Sequence, residues 1–153
     1  MIKKKVSAFT LIEVLVAATI IALLTAIGVV SYASANRSAR DAKRKSDLEQ
    51  IRAALEMFRA DCGKYPVTNT VVPGNTLVLN ATSCPGYSGS TITYMQQIPQ
   101  DPKYSYIYRA ATDRLSYVLC AYLEGEGGTT SCSSLSCSGC GPGNQCNYKV
   151  CSP

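Results

Sequence analysis

The sequence predicts an α+β fold: a long N-terminal helix, apolar in its first half and amphipathic in its second, packed on a small antiparallel sheet with a Cys-rich C-terminal tail. Three observations predict it. An apolar run beginning at Phe9 passes without a proline into a stripe of helical period, two Tyr- and Val-rich segments follow near residues 103 and 115, and five of the eight cysteines fall between Cys132 and Cys151.

The helix is the most strongly written element. From Phe9 to Val30 the chain is uncharged and mostly apolar except at Glu13, long enough for a membrane span of about 20 residues. Beyond it Leu48, Ile51, Leu55, Phe58 and Cys62 recur at spacings of three and four, which sets them on one helical stripe with Arg52, Glu56 and Arg59 facing elsewhere. Proline is absent before Pro66, and "CGKYP" supplies a glycine stop followed by proline. One continuous helix from about Phe9 to Asp61 is therefore expected, spanning roughly 80 Å at about 1.5 Å per residue.

Glu13 is the anomaly within this run. A carboxylate inside a membrane span costs about 2.5 to 3.5 kcal/mol on insertion scales, so it calls for a partner or a task. The preceding residues bear on which. Lys3, Lys4 and Lys5 form a basic head, and Val6, Ser7 and Ala8 lead into Phe9. In a secretory signal the small-residue cleavage site follows the apolar stretch; here the small residue precedes it. A cut after Ala8 removes the lysines, keeps the apolar helix and makes Phe9 the new amino terminus.

"KKKVSA" followed by "FTLIEVLVAATIIALL" resembles the signal of the type IV pilin and pseudopilin superfamily. The family usually has glycine before the cut, where this chain has the tolerated Ala8, and often a helix-breaking proline where this chain has Val30. The resemblance implies cleavage between Ala8 and Phe9 by a prepilin peptidase and N-methylation of Phe9. It also implies assembly of copies of the chain, through an inner-membrane assembly platform, into a helical filament. Glu13 would there compensate the Phe9 amine of a neighbouring subunit, a buried pair that sets axial register.

Composition is consistent with such a role. At 153 residues there is room for one helix and one small domain. The leader lysines supply most of the formal net charge of +5, so nucleic acid is disfavoured as a partner. Histidine is absent, which excludes His-based catalysis and His metal ligands; no catalytic constellation is found and no cofactor is expected. Arg37, Arg40, Lys43, Arg44 and Lys45 lie just past the span on the side to be exported, against the positive-inside rule. The cleavage signal is the more specific cue and places the leader inside. The basic run is read as a solvated helix face near lipid headgroups or a neighbouring subunit, with no interleaved aromatics to suggest nucleic acid.

After the helix, "VTNTVVPGNTLVLNATSCPGYSGSTIT" reads as a long surface connection with at most a short strand at Thr76 to Leu79. Lys103 to Arg109 and Leu115 to Leu123, joined by "AATDR", read as an antiparallel hairpin. Its Tyr104, Tyr106 and Tyr108 alternate with other residues and could pack on the Leu48, Ile51, Leu55 and Phe58 stripe. "LEQIRAALEMFRADCGKYP", "YMQQIPQDP" and the Tyr-rich hairpin together are similar to the major pseudopilin of type II secretion, up to about Glu126. Many such proteins bind calcium through acidic residues in the loop after the sheet. Here Glu124 and Glu126 are followed by no further acid, so calcium is not carried over.

In place of that loop stands "GEGGTTSCSSLSCSGCGPGNQCNYKVCSP", with Cys132, Cys137, Cys140, Cys146 and Cys151; Cys62, Cys84 and Cys120 lie upstream. An even number of cysteines in an exported chain, with little apolar material to hold the tail, points to disulfides. Spacing does not choose the pairing, but five cysteines in the tail require at least one bridge to an upstream cysteine if all eight pair internally. The competing readings are a membrane-anchored Cys-rich zinc-binding or redox module, from the Cys137-x-x-Cys140 pair, and a minor subunit acting as a tip adhesin. The expected organisation is leader 1–8, transmembrane and filament-core helix 9–32, pilin-like soluble domain 33–126 and Cys-rich tail 127–153. The expected location is the cell membrane as a single-pass precursor with its C-terminal domain outside the cytoplasm, then an extracytoplasmic filament.

Overall fold

The stripe of apolar residues and the absence of proline produce one helix, α1, over Leu11–Cys62. The computed structural model describes residues 9–125, 127–128, 132 and 135–152. α1 ends where the sequence says it should. Gly63 takes the left-handed conformation at φ +74° and donates its amide to the Arg59 carbonyl at 2.8 Å, the single-bond C-terminal cap that glycine accommodates without strain.

The chain divides into two units after Ser38. In the first, the large apolar side chains from Phe9 to Val29 are exposed. By length and composition α1 is the one described helix able to cross a membrane.

The second unit is built around the amphipathic part of α1. Leu48, Ile51, Leu55 and Phe58 are fully buried and share a core with Tyr65, Leu77, Leu79, Ile98, Tyr106, Tyr108, Tyr117 and Leu119. Two antiparallel sheets contribute. The first pairs β1 (Leu77–Leu79) with β2 (Ile92–Met95). The second has the order β3 (Ile107–Ala110), β4 (Tyr117–Ala121), β5 (Tyr148–Cys151). β3 and β4 are the predicted hairpin in shorter form, with Ile107 opposite Cys120 and Ala110 opposite Tyr117. β3 starts late because Asp101 accepts the amides of Lys103 and Tyr104, both at 2.7 Å, a side-chain turn that competes with strand pairing.

Two segments differ from the sequence reading. The connection after α1 is not a surface loop with one short strand: it forms the β1–β2 hairpin, buries Val71, Leu77 and Leu79, and is tied to the end of α1 by the Cys62–Cys84 disulfide. The tail is not merely stapled on. It returns as β5 beside β4, with Val118 opposite Cys151 and Ala121 opposite Tyr148.

β4 is buried along its whole length because the sheet is covered on both faces. Tyr117, Leu119 and Ala121 face the α1 core, while the alternate residues Val118 and Cys120 form a second cluster with Cys140, flanked by Ile107, Tyr122, Leu135 and Cys137. The tail thus forms a lid on the outer sheet face.

Candidate functional site

At the start of α1, Thr10 and Glu13 form a reciprocal cap. The Thr10 amide and hydroxyl donate to Glu13 Oε2 at 2.8 and 2.6 Å, and the Glu13 amide donates back to Thr10 Oγ1 at 3.4 Å. Thr-x-x-Glu is the capping-box pattern, which satisfies helix N–H groups that lack an intrahelical acceptor. The motif stands in the sequence as "TLIE" and was the available cue that the run begins a helix at Thr10. Glu13 is therefore held by a local partner in the single chain, with Phe9 and Leu11 exposed beside it. Ala8, the rest of the leader and Glu126 lie outside the described residues.

The basic run past the span is not a uniformly solvated face. Arg37, Arg40, Lys43 and Lys45 are exposed, but Arg44 is 2% exposed. Its Nε donates to Asp101 Oδ2, its Nη1 to Asp41 Oδ1 at 2.7 Å and its Nη2 to Glu124 Oε1 at 3.0 Å. Arg40 adds a two-pronged pair to Glu124 at 2.9 and 2.7 Å, and Lys103 Nζ lies 3.7 Å from the same carboxylate. Three cations thus meet three carboxylates. The ring of Tyr104 lies 5.0 Å from the Arg44 guanidinium carbon, and Tyr122 packs edge-on against Tyr104 at 4.8 Å.

These contacts move the titrations. The Arg40 hydrogen bond, with Arg44 and Lys103, pulls the Glu124 carboxyl down to about 2. Burial alone would push Asp41 up, but the amides of Glu124 and Gly125, together with Arg44, hold it below its ordinary value. Asp101 behaves alike: burial opposes ionisation, and Arg44 with the Lys103 and Tyr104 amides outweighs it.

Tyr104, grouped by alternation with Tyr106 and Tyr108, belongs to this cluster and not to the helix-facing core. Tyr106 and Tyr108 are core residues; their hydroxyls donate to Asp47 Oδ2 and to the Pro66 carbonyl, both at 2.8 Å.

The structure pairs all eight cysteines: Cys62–Cys84, Cys120–Cys137, Cys132–Cys151 and Cys140–Cys146. The two halves of the C-x-x-C pair enter different bridges, so no thiolate is left there for zinc or for disulfide exchange. Among the described residues no group of three or more His, Cys, Asp or Glu side chains is placed to hold a metal ion. Among the described residues, the carboxylates nearest the end of the sheet are already engaged. Glu124 spends its oxygens on Arg40, Arg44 and Lys103, and Asp41 spends its own on Arg44 and on the Glu124 and Gly125 amides at 2.9 and 2.8 Å.

A profile of the family described as Type II secretion system (T2SS), protein G matches residues 31–134. Another, described as Prokaryotic N-terminal methylation motif, matches residues 3–29. The chain is 32% identical over 101 residues to the type II secretion system core protein G of Aeromonas hydrophila, across 65% of this chain and 69% of that protein. It is likewise 32% identical over 101 residues to the protein of that name from Pseudomonas aeruginosa, across 65% and 70%, and 29% identical over 96 residues to that of Klebsiella pneumoniae, across 61% and 66%. No solved structure matches the chain significantly.

Proposed function

Because the chain belongs to the type II secretion system protein G family, we infer that it is a structural subunit of a type II secretion pseudopilus. It is made as a single-pass precursor with the leader in the cytoplasm and the Ala39–Pro153 unit outside. A prepilin peptidase cuts between Ala8 and Phe9, the Phe9 amine is methylated, and copies assemble at an inner-membrane platform through the first half of α1.

The observation that carries this reading is the surface of the chain from Phe9 through the first turns of α1 to Val29. It is mostly apolar, exposed in the single chain and interrupted by one carboxylate. Such a surface needs lipid before assembly and neighbouring copies after it. Tyr32, exposed at the end of the run, suits the boundary between hydrocarbon and water. In the filament Glu13 pairs with the Phe9 amine of the adjoining subunit. Thr10 occupies Oε2, and among the described residues no hydrogen bond falls on Oε1, which remains available to that amine.

The test is a Glu13→Ala strain that makes no wild-type subunit. Losing one partner of a buried pair costs about 3 to 5 kcal/mol, repeated at every contact, so sheared filaments should be absent or sparse by electron microscopy. The protein should still reach the membrane and begin at Phe9 by intact mass. Wild-type filament yield would remove the register role, and a mature start beyond Val30 would remove the filament reading itself.

A further inference from the structure

Asp41, Asp101 and Glu124 come from three separate segments: α1, the loop before β3 and the loop after β4. Each offers an oxygen to a different nitrogen of Arg44. A guanidinium buried to 2% exposure is tolerated when its donors are matched in their planar directions, and here Nε, Nη1 and Nη2 all are. The carboxylates also hold backbone. Asp41 takes the amides of Glu124 and Gly125, and Asp101 those of Lys103 and Tyr104. Arg44 is thus the hub through which two loops are fastened to one turn of α1.

That is the work a divalent ion does in an acidic loop, where one small cation gathers oxygens from distant positions. We propose that Arg44 is a built-in cation in this chain: it closes the loop after β4 on α1 and on the loop before β3, so that this pseudopilin holds that region without calcium. The two solutions exclude each other at this place. A divalent ion brought to the same oxygens would face the Arg44 guanidinium, which already engages all three carboxylates.

The test uses the mature full-length chain in detergent, scanned by thermal unfolding with EDTA and with calcium. The wild-type midpoint should be the same in both. A midpoint that falls in EDTA and returns with calcium overturns the proposal. Arg44→Met keeps most of the stem and removes the charge, and should lower the midpoint by roughly 10 to 20 °C. An Arg44→Met chain with the wild-type midpoint overturns the role of Arg44 as the cation that fastens the two loops to α1. If Arg44→Met does not fold, the wild-type comparison still decides.

Discussion

The Cys132–Cys151 bridge should fix β5 to the sheet, and the size of its effect follows from its loop. The bridged residues are separated by 19 positions, and closing a loop of that length in the unfolded chain is worth about 3 kcal/mol in the chain-entropy account. Without the bridge β5 keeps its ladder to β4, the burial of Val150, and the reciprocal bonds between Asn147 and Leu123 at 2.6 and 2.8 Å. Those gains must hold a four-residue strand whose ordering costs about 1 to 2 kcal/mol per residue, so the strand becomes marginal. Replacing both cysteines by serine should raise the opening of β5 on the order of 100-fold, the equivalent of about 3 kcal/mol. Hydrogen exchange of the full chain in detergent reads this directly. Amides of Lys149 to Cys151 should exchange faster, while those of Leu48 to Phe58 keep their protection. The Cys140–Cys146 bridge spans only six positions, is worth about 2 kcal/mol by the same account, and its removal should loosen its own loop and leave β5 protected. Unchanged β5 exchange in the Cys132→Ser, Cys151→Ser chain, or equal acceleration everywhere, would refute the idea of a tail secured piecewise.

Acid should weaken the ion-pair cluster in a defined window. Glu124, Asp41 and Asp101 titrate below their ordinary values when folded, so their stabilisation is full above the unfolded carboxylate range of about 4 and drains away as pH falls towards about 2, the Glu124 value. Unfolding midpoints at successive pH values should decline through that interval, and a midpoint flat from neutral pH down through it would contradict the cluster's role. Gly141→Ala should disturb the lid on the outer sheet face, because a Cβ there would meet Tyr122 Cγ at 2.3 Å. The expected cost is about 1 to 3 kcal/mol in urea unfolding, and a neutral effect would show that the tail does not press on Tyr122.

The elements readable in the sequence were those whose evidence is local. α1 carries its own stripe, its own glycine stop and no proline, so its course did not depend on anything distant. The β3–β4 hairpin was readable for the same reason: two strand-like segments and the turn between them are contiguous. β2 and β5 were not readable, since "ITYM" and "YKVC" are four residues each and acquire meaning only from partners that periodicity does not reveal. The basic run failed for a related reason. Arg44 is drawn inward by Asp101 and Glu124, which are 57 and 80 positions away; the single local hint was Asp41, three residues before it. The C-terminal residues from Leu135 onward also lie beyond the family match, which ends at residue 134. The lid and β5 are therefore features for which the family resemblance offered no template.

Glu13 and Arg44 pose the same problem on one helix, and the chain answers it differently in each place. Arg44 is satisfied completely by its own fold, through three carboxylates that no other copy needs to supply. Glu13 is satisfied by halves. Two donors from Thr10 reach one oxygen, which would offset part of the cost of about 2.5 to 3.5 kcal/mol for holding a carboxylate in a bilayer and so let the proposed precursor wait there. They bring no positive charge, so on the proposed route the carboxylate would stay uncompensated until the amine of the next subunit arrived. A residue fully paired within its own subunit would have nothing to gain from a neighbour, and one wholly unpaired would oppose membrane insertion. A capping-box glutamate lies between these limits, and that is the condition the proposed assembly requires: stable storage in lipid with a remaining electrostatic gain that only the next subunit's Phe9 can supply.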